Sequence, residues 1–188
     1  ILFMNRLLLI LILTFSFQSL LKADDIKDLE LEGMSIGDSL LDYYTMNQIK
    51  SDTDNIMNDG IYLTSSFQKN LKIYDEIQAV YNENDNKYVL VALIGNIDFN
   101  DDIESCYKKQ NSIIKDVSSL FKNLKKNEWG ILDLELPAEY NATGTYSPVT
   151  YDFNNGDRIQ ISCYDFSIKG SDRLKFLIYN HKYSLAIQ

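Results

Sequence analysis

Cys106, Cys163 and His181 make up the whole cysteine and histidine complement of the chain. A structural zinc site takes four ligands, mostly of these two types, so three residues fall short of one. A thiol nucleophile would have to pair with His181, yet both cysteines fall on apolar faces of the segments that carry them. There is no G-x-S-x-G, P-loop, G-x-G-x-x-G, H-E-x-x-H or C-x-x-C, so no nucleophile elbow, phosphate cradle, dinucleotide fingerprint or zinc helix is expected. No cofactor and no catalytic set is assigned.

Paired carboxylates are the hydrolytic chemistry that stays open, because Asp and Glu are abundant and two of them facing across a cleft can share acid and base roles. Glu76, Asp152 and Asp165 lie on strand-like segments and are the first to inspect. Residues 98–104 (DFNDDIE) place oxygen ligands at alternate positions, as a calcium loop does. The loop lacks glycine at its sixth position and has Lys109 where a bidentate Glu belongs, so a helix cap is the better reading. Asp152-Phe153-Asn154-Asn155-Gly156-Asp157 is a second partial match, better read as a hairpin turn. Asn141-Ala142-Thr143 is a glycosylation sequon, meaningful where the host modifies secreted proteins.

Aromatic recognition is the other candidate chemistry. Thirteen tyrosines are present, most at helix or strand positions where core packing is the default. Tyr74, Tyr81, Tyr164 and Tyr179 are the candidates for a tyrosine-lined sheet face that binds a peptide, a protein or a sugar ring.

The elements that would position these residues follow from periodicity. Ser35 with Asp38 reads as a capping box opening a helix over residues 36–49, with Ile36, Leu40, Leu41 and Tyr44 on one face. Strands are expected over 61–67, 71–81 and 87–97, the last almost continuously apolar. Asn82 to Asn86 forms the turn between the last two. Asp101 with Glu104 opens a second helix, whose stripe is Ile103, Cys106, Tyr107, Ile114, Val117, Phe121 and Leu124, and Lys122, Lys125 and Lys126 load its last turn. A short strand and a long loop containing Pro137, Gly144 and Pro148 follow Trp129-Gly130. Strands over 146–153 and 158–166 flank an Asn-Gly hairpin turn, and a last one covers 173–179. The pattern is an α+β domain: an antiparallel sheet of about six strands in two αβββ halves, with two helices on one face.

The front of the chain reads as an address. Met4 is taken as the start, Asn5-Arg6 as the positive n-region, residues 7–17 as the apolar h-region, and residues 18–23 as a polar tail ending at Ala23. An uncleaved anchor would need about 20 apolar residues, and Gln18 and Ser19 interrupt the run. Residues 1–23 are therefore read as a signal peptide and 24–188 as one domain with no later span, placed in the periplasm or outside the cell. Two cysteines in an oxidising compartment suit one Cys106–Cys163 bridge, if the second helix covers the strand carrying Cys163; the alternative is two buried thiols. The net charge of −9 argues against nucleic acid and anionic membrane surfaces as partners.

The leader NRLLLILILTFSFQSLLKADD, the segment LEGMSIGDSLLDYY, the helix start ESCYKK and the strand ISCYDF resemble a family of small exported proteins of marine alphaproteobacteria with AT-rich genomes. The resemblance implies export, and the repeated cysteine contexts are compatible with the bridge. More remotely, Gly33-Met34-Ser35 before a β-meander is similar to periplasmic interaction domains of outer-membrane assembly lipoproteins. The two-halves pattern is similar to that of secreted β-lactamase inhibitors. Both groups bind proteins. The expectation is a non-enzymatic exported protein that binds an envelope protein or component. The alternatives are a carboxylate-dependent hydrolase of an envelope polymer and a carrier for a small ligand.

Overall fold

A computed structural model describes residues 25–54, 61–134 and 143–186. The leader and the sequon asparagine lie outside them. The described residues are α+β. One antiparallel sheet contains β1 (Thr53–Asp54), β2 (Tyr62–Phe67), β3 (Glu76–Asn82), β4 (Leu90–Asn100), β5 (Lys125–Glu128), β6 (Leu132–Leu134), β7 (Gly144–Asp152), β8 (Arg158–Phe166) and β9 (Asp172–Tyr179). The order is β1-β2-β3-β4-β9-β8-β7-β5, with β6 also pairing β7, so nine strands fill eight positions. Two meanders, β2 to β4 and β7 to β9, meet where β4 pairs β9.

Of the two helices expected from the sequence, the second forms: α2 (Ile103–Leu120), 18 residues long, packs across β8, β9 and β4. Its N-cap is Asp102, whose carboxylate accepts from the Ser105 amide, and not Asp101. The helix ends at Leu120, and Lys125 and Lys126 sit on strand β5 beyond it. Cys106, Gln110, Ile114 and Val117 form its buried stripe. Cys106 is bonded to Cys163 of β8. One turn on, the Gln110 amide nitrogen donates to the carbonyls of Ser147 (2.6 Å) and Ile161 (3.0 Å). The helix is thus held by a covalent link and by a polar pin within the same core.

The helix expected over 36–49 does not form. Gly37 has φ +96° and its amide donates to Leu90 O, while Leu40 N donates to Tyr88 O and Leu90 N to Asp38 O. Residues 37–40 spend these backbone bonds on the start of β4, so no continuous i→i−4 ladder runs from 36 to 49 and only a 3-10 turn over Leu40–Asp42 forms there. Ser35 and Asp38 do bond, Ser35 N to Asp38 Oδ2 at 2.9 Å, but they close a turn. The helix that forms is α1 (Met46–Ser51), opened by a capping box of Thr45 and Gln48. Ile36, Leu40 and Ile49 are still buried, together with Ile26, Leu31 and Met34. A third helix, α3 (His181–Ala186), follows β9 and was not anticipated.

The two sheet faces are different in kind. On one, Val149, Ile161, Phe176, Gly95, Ile77 and Phe67 run in register across six strands, with Tyr151, Ile159, Ile178, Leu93 and Ala79 beside them. This face carries the main core beneath α2 and the 25–51 segment. On the other, a small cluster of Tyr62, Val80, Val91, Ala92 and Tyr179 packs with Tyr183 of α3 at one corner.

The 25–51 segment is fastened through Glu32. Glu32 and Gly33 have φ values of 53° and 85° in a two-residue turn closed by Leu31 N to Met34 O (2.9 Å) and the reverse bond (3.0 Å). Positive φ at both central positions is the geometry of a type I′ hairpin turn, costly for a residue other than Gly or Asn. The Glu32 carboxylate accepts from the amides of Lys72, Ile73 (2.7 Å) and Tyr74. Partial burial opposes its ionisation, but the Ile73, Lys72 and Tyr74 amides and the Lys72 ammonium outweigh that, and its pKa is lowered. This contact explains why residues 71–75, expected in a strand, are a loop: the amides of 72–74 face a side chain, and pairing with β4 begins only with Asp75 N to Asn96 O.

Two outcomes follow. Replacing both Cys106 and Cys163 with alanine removes a crosslink closing 57 residues, so denaturant unfolding should show a loss of about 4 kcal/mol on the chain-entropy model; an unchanged midpoint contradicts the bridge. A carboxyl with a depressed native pKa stabilises above the ordinary Glu range, about pH 4.3, and loses that contribution as pH falls through the lowered value. The stability gap between wild type and Glu32→Gln should therefore be full near neutrality and shrink on acidification, measured by unfolding midpoints across the acid range.

Candidate functional site

The four tyrosines singled out from sequence do not share a surface. Tyr81 points into the main core, is 1% exposed, and its hydroxyl meets Thr53 Oγ1 and Ser65 Oγ, each at 3.0 Å. Tyr74 lies on that same covered side, against Gly95. A Cβ built on Gly95 would sit 2.3 Å from the Tyr74 ring, so the glycine is where the ring fits. Burial, and then the Glu32 charge, push the Tyr74 phenol pKa up. Tyr179 is on the opposite face but under α3, edge-on to Tyr183 at 5.9 Å. Only Tyr164 remains on uncovered sheet.

Around Tyr164 the strand register assembles a surface that sequence reading did not single out. Across from it on β7 is Tyr146, with ring centroids 5.5 Å apart and planes within 15°. Two residues along β8, Phe166 continues the row at 6.0 Å. From β9, the Lys175 ammonium stands 4.9 Å from the centre of the Tyr164 ring, a cation–π contact. At the sheet edge, Trp129 is 57% exposed and its indole N–H points to Thr150 Oγ1 at 3.4 Å, a residue of this face. The hairpin alternation of β8 was readable and put Tyr164 opposite Cys163. What was missed is the β7 register that adds Tyr146, and the β5–β7 pairing that brings Trp129 round.

The polar groups of this face are largely committed to one another. Arg158 Nε bonds Asp152 Oδ1, and Arg173 Nη2 lies 3.5 Å from Asp98 Oδ1. Asn96 Nδ2 donates to Glu76 Oε2 at 2.8 Å. Two buried atoms have no hydrogen-bond partner among the described residues, Asn96 Oδ1 and Arg173 Nε. Burial lowers the Lys175 pKa, Arg173 adds to the effect, and Glu76 opposes it. Burial, together with Tyr146, raises the Tyr164 phenol to about 12 against a bond to Ser162, so that hydroxyl stays protonated.

The three carboxylates marked for inspection are apart. Glu76 is on β3 and Asp152 on β7, four strand positions away, about 19 Å at the usual spacing. Paired carboxylates of glycosidases stand about 5–10 Å apart. Asp165 is on the other side of the sheet, exposed near Asp172, whose carboxyl is pushed up by burial and by Asp165, Asp101 and Asp102. In the calcium-like stretch, Asp98 faces Arg173, Asp101 accepts from the Gly170 amide and Asp102 caps α2. Among the described residues no group of three or more His, Cys, Asp or Glu side chains could hold a metal ion. His181, at the start of α3, donates its backbone amide to Asp157 Oδ1 at 2.8 Å. No protein-family model, curated protein or solved structure matches the chain.

Proposed function

We propose that the chain is an exported, non-enzymatic protein that docks a protein of the cell envelope on the uncovered face of its sheet. The observation that carries this reading is the partly buried row Tyr146, Tyr164 and Phe166 on the uncovered face, flanked by Lys175 and by exposed Trp129. Aromatic rings beside a cation, ringed by polar groups, are the composition of interface centres, where Trp and Tyr dominate binding energy. Arg158 and Arg173 are matched by Asp152 and Asp98, so the face suits a partner recognised by aromatic contact more than by net charge.

Export rests on the leader read from the sequence, and the Cys106–Cys163 bridge fits it, since disulfides persist in oxidising compartments. No described helix is long and apolar enough to cross a membrane. Periplasm or extracellular space is the proposed location, and membership of the exported family it resembles is part of the same reading.

The test is capture from envelope extract on immobilised protein, with Trp129→Ala and Tyr164→Ala as paired baits. A protein held by wild type and weakened about 30-fold by each variant is expected if the row is a hot spot. Titration of that partner should also change the emission of Trp129, the chain's single tryptophan. Equal capture by all three baits would overturn the face. Turnover of envelope glycans, lost on Glu76→Gln or Asp152→Asn, would replace binding with hydrolysis.

A further inference from the structure

We infer that the cleft between α1 and the end of β2 binds a neutral saccharide, at a site separate from the uncovered sheet face. The cleft has a volume of about 400 Å³, within the range of ordinary small-ligand sites. One wall is the partly exposed ring of Tyr44, whose inner face lies flat on buried Phe67, with centroids 3.7 Å apart and planes within 7°. The opposite character comes from planar amides, Gln48, Gln68 and Asn70. A sugar ring is itself two-sided in chemistry, with apolar C–H patches that rest on aromatic faces and hydroxyls that each donate and accept. Amides are matched to hydroxyls because each offers both a donor and an acceptor.

The walls are tied together before any ligand arrives. Ser66 N donates to Asp52 O at 2.9 Å, and Thr53 pairs with Ser65 in the sheet. The Gln48 side-chain carbonyl oxygen is held by the amide and hydroxyl of Thr45, which fixes the side chain and leaves the amide NH₂ uncommitted to Thr45. Among the described residues, the side chains of Asp52, Gln68, Lys69 and Asn70 have no hydrogen bond or ion pair within the protein. Gln48, held in place beforehand, loses less freedom on binding.

Charge selects the ligand class. Among the described residues, Asp52 and Lys69 are the only charged side chains in the lining, one of each sign. An anionic ligand would meet the Asp52 carboxylate and a cationic one the Lys69 ammonium, each with no second partner of favourable sign. A neutral, hydroxyl-rich ring meets neither penalty, and both charges become strong hydrogen-bonding groups for it.

The experiment uses the full chain purified after export, titrated with maltotriose, cellobiose and diacetylchitobiose while amide NMR shifts are followed. At least one probe should give saturable shifts confined to residues 44–52 and 66–70. Tyr44→Ala should weaken it by about tenfold, the worth of one good aromatic contact. Gln68→Ala, at an exposed position that leaves the Tyr44–Phe67 stack in place, should weaken it also. Trp129→Ala should leave sugar binding unchanged, which separates this site from the sheet face. No shifts in the cleft with any of the three probes would overturn the inference. So would equal affinity in the Gln68→Ala variant, or a preference for a sulfated oligosaccharide or a peptide.

Discussion

A sheet eight positions wide has two faces, and the described chain supplies a single long helix to cover them. Everything else follows from which face α2 takes. The Cys106–Cys163 bond settles it, because a link with 6.0 Å between Cα atoms seats the helix directly on β8. Once α2 lies there, the strand residues in phase with Cys163, among them Ile159, Ile161, Leu174, Phe176 and Ile178, become interior. Their neighbours in the other phase, Tyr164, Phe166, Lys175 and Gln160, are left outward, since strand side chains alternate with period two. A helix seated one residue out of phase would exchange the two sets.

The covered side shows how a core this broad is closed without a second long helix. The 25–51 segment crosses it as turns, donating its backbone to β4 and its apolar side chains Ile26, Leu31, Met34, Ile36 and Leu40 to the interior. Glu32 fastens that segment to the 72–74 loop from an unfavourable backbone conformation. The three amides it collects offset the local strain, which is why a charged residue occupies a position that usually takes Gly or Asn. Gln110 does a related job beneath α2 by donating to two strand carbonyls within the core.

Much of this was legible in the sequence where periodicity was strong. The α2 stripe, the alternation of β8, the Asn-Gly hairpin and the cysteine pair all come from side-chain spacing, and the antiparallel α+β class follows from them. The failures have physical reasons. Residues 36–49 have helical apolar spacing, but Gly37 takes φ +96° and the backbone bonds to β4, so tertiary pairing overrode local pattern. The signal for the helix that does form, Thr45 followed three residues later by Gln48, is a full capping-box pattern lying inside the stretch assigned to the Ser35-capped helix. The candidate tyrosines were chosen by type. Phase against Cys163 would have kept Tyr164, but no local signal marks Tyr81 as core or brings Trp129 to the face, because both depend on pairings between distant strands.

The most direct measurement of this division is hydroxyl-radical footprinting of the native protein, read residue by residue by mass spectrometry. The fold requires fast labelling of Trp129, Tyr146, Tyr164 and Phe166, and strong protection of Tyr81 and Tyr151, which are 1% and 2% exposed. Labelling of Tyr164 as slow as that of Tyr151, or of Tyr81 as fast as that of Trp129, would mean that α2 covers the wrong face and that the uncovered aromatic row does not exist.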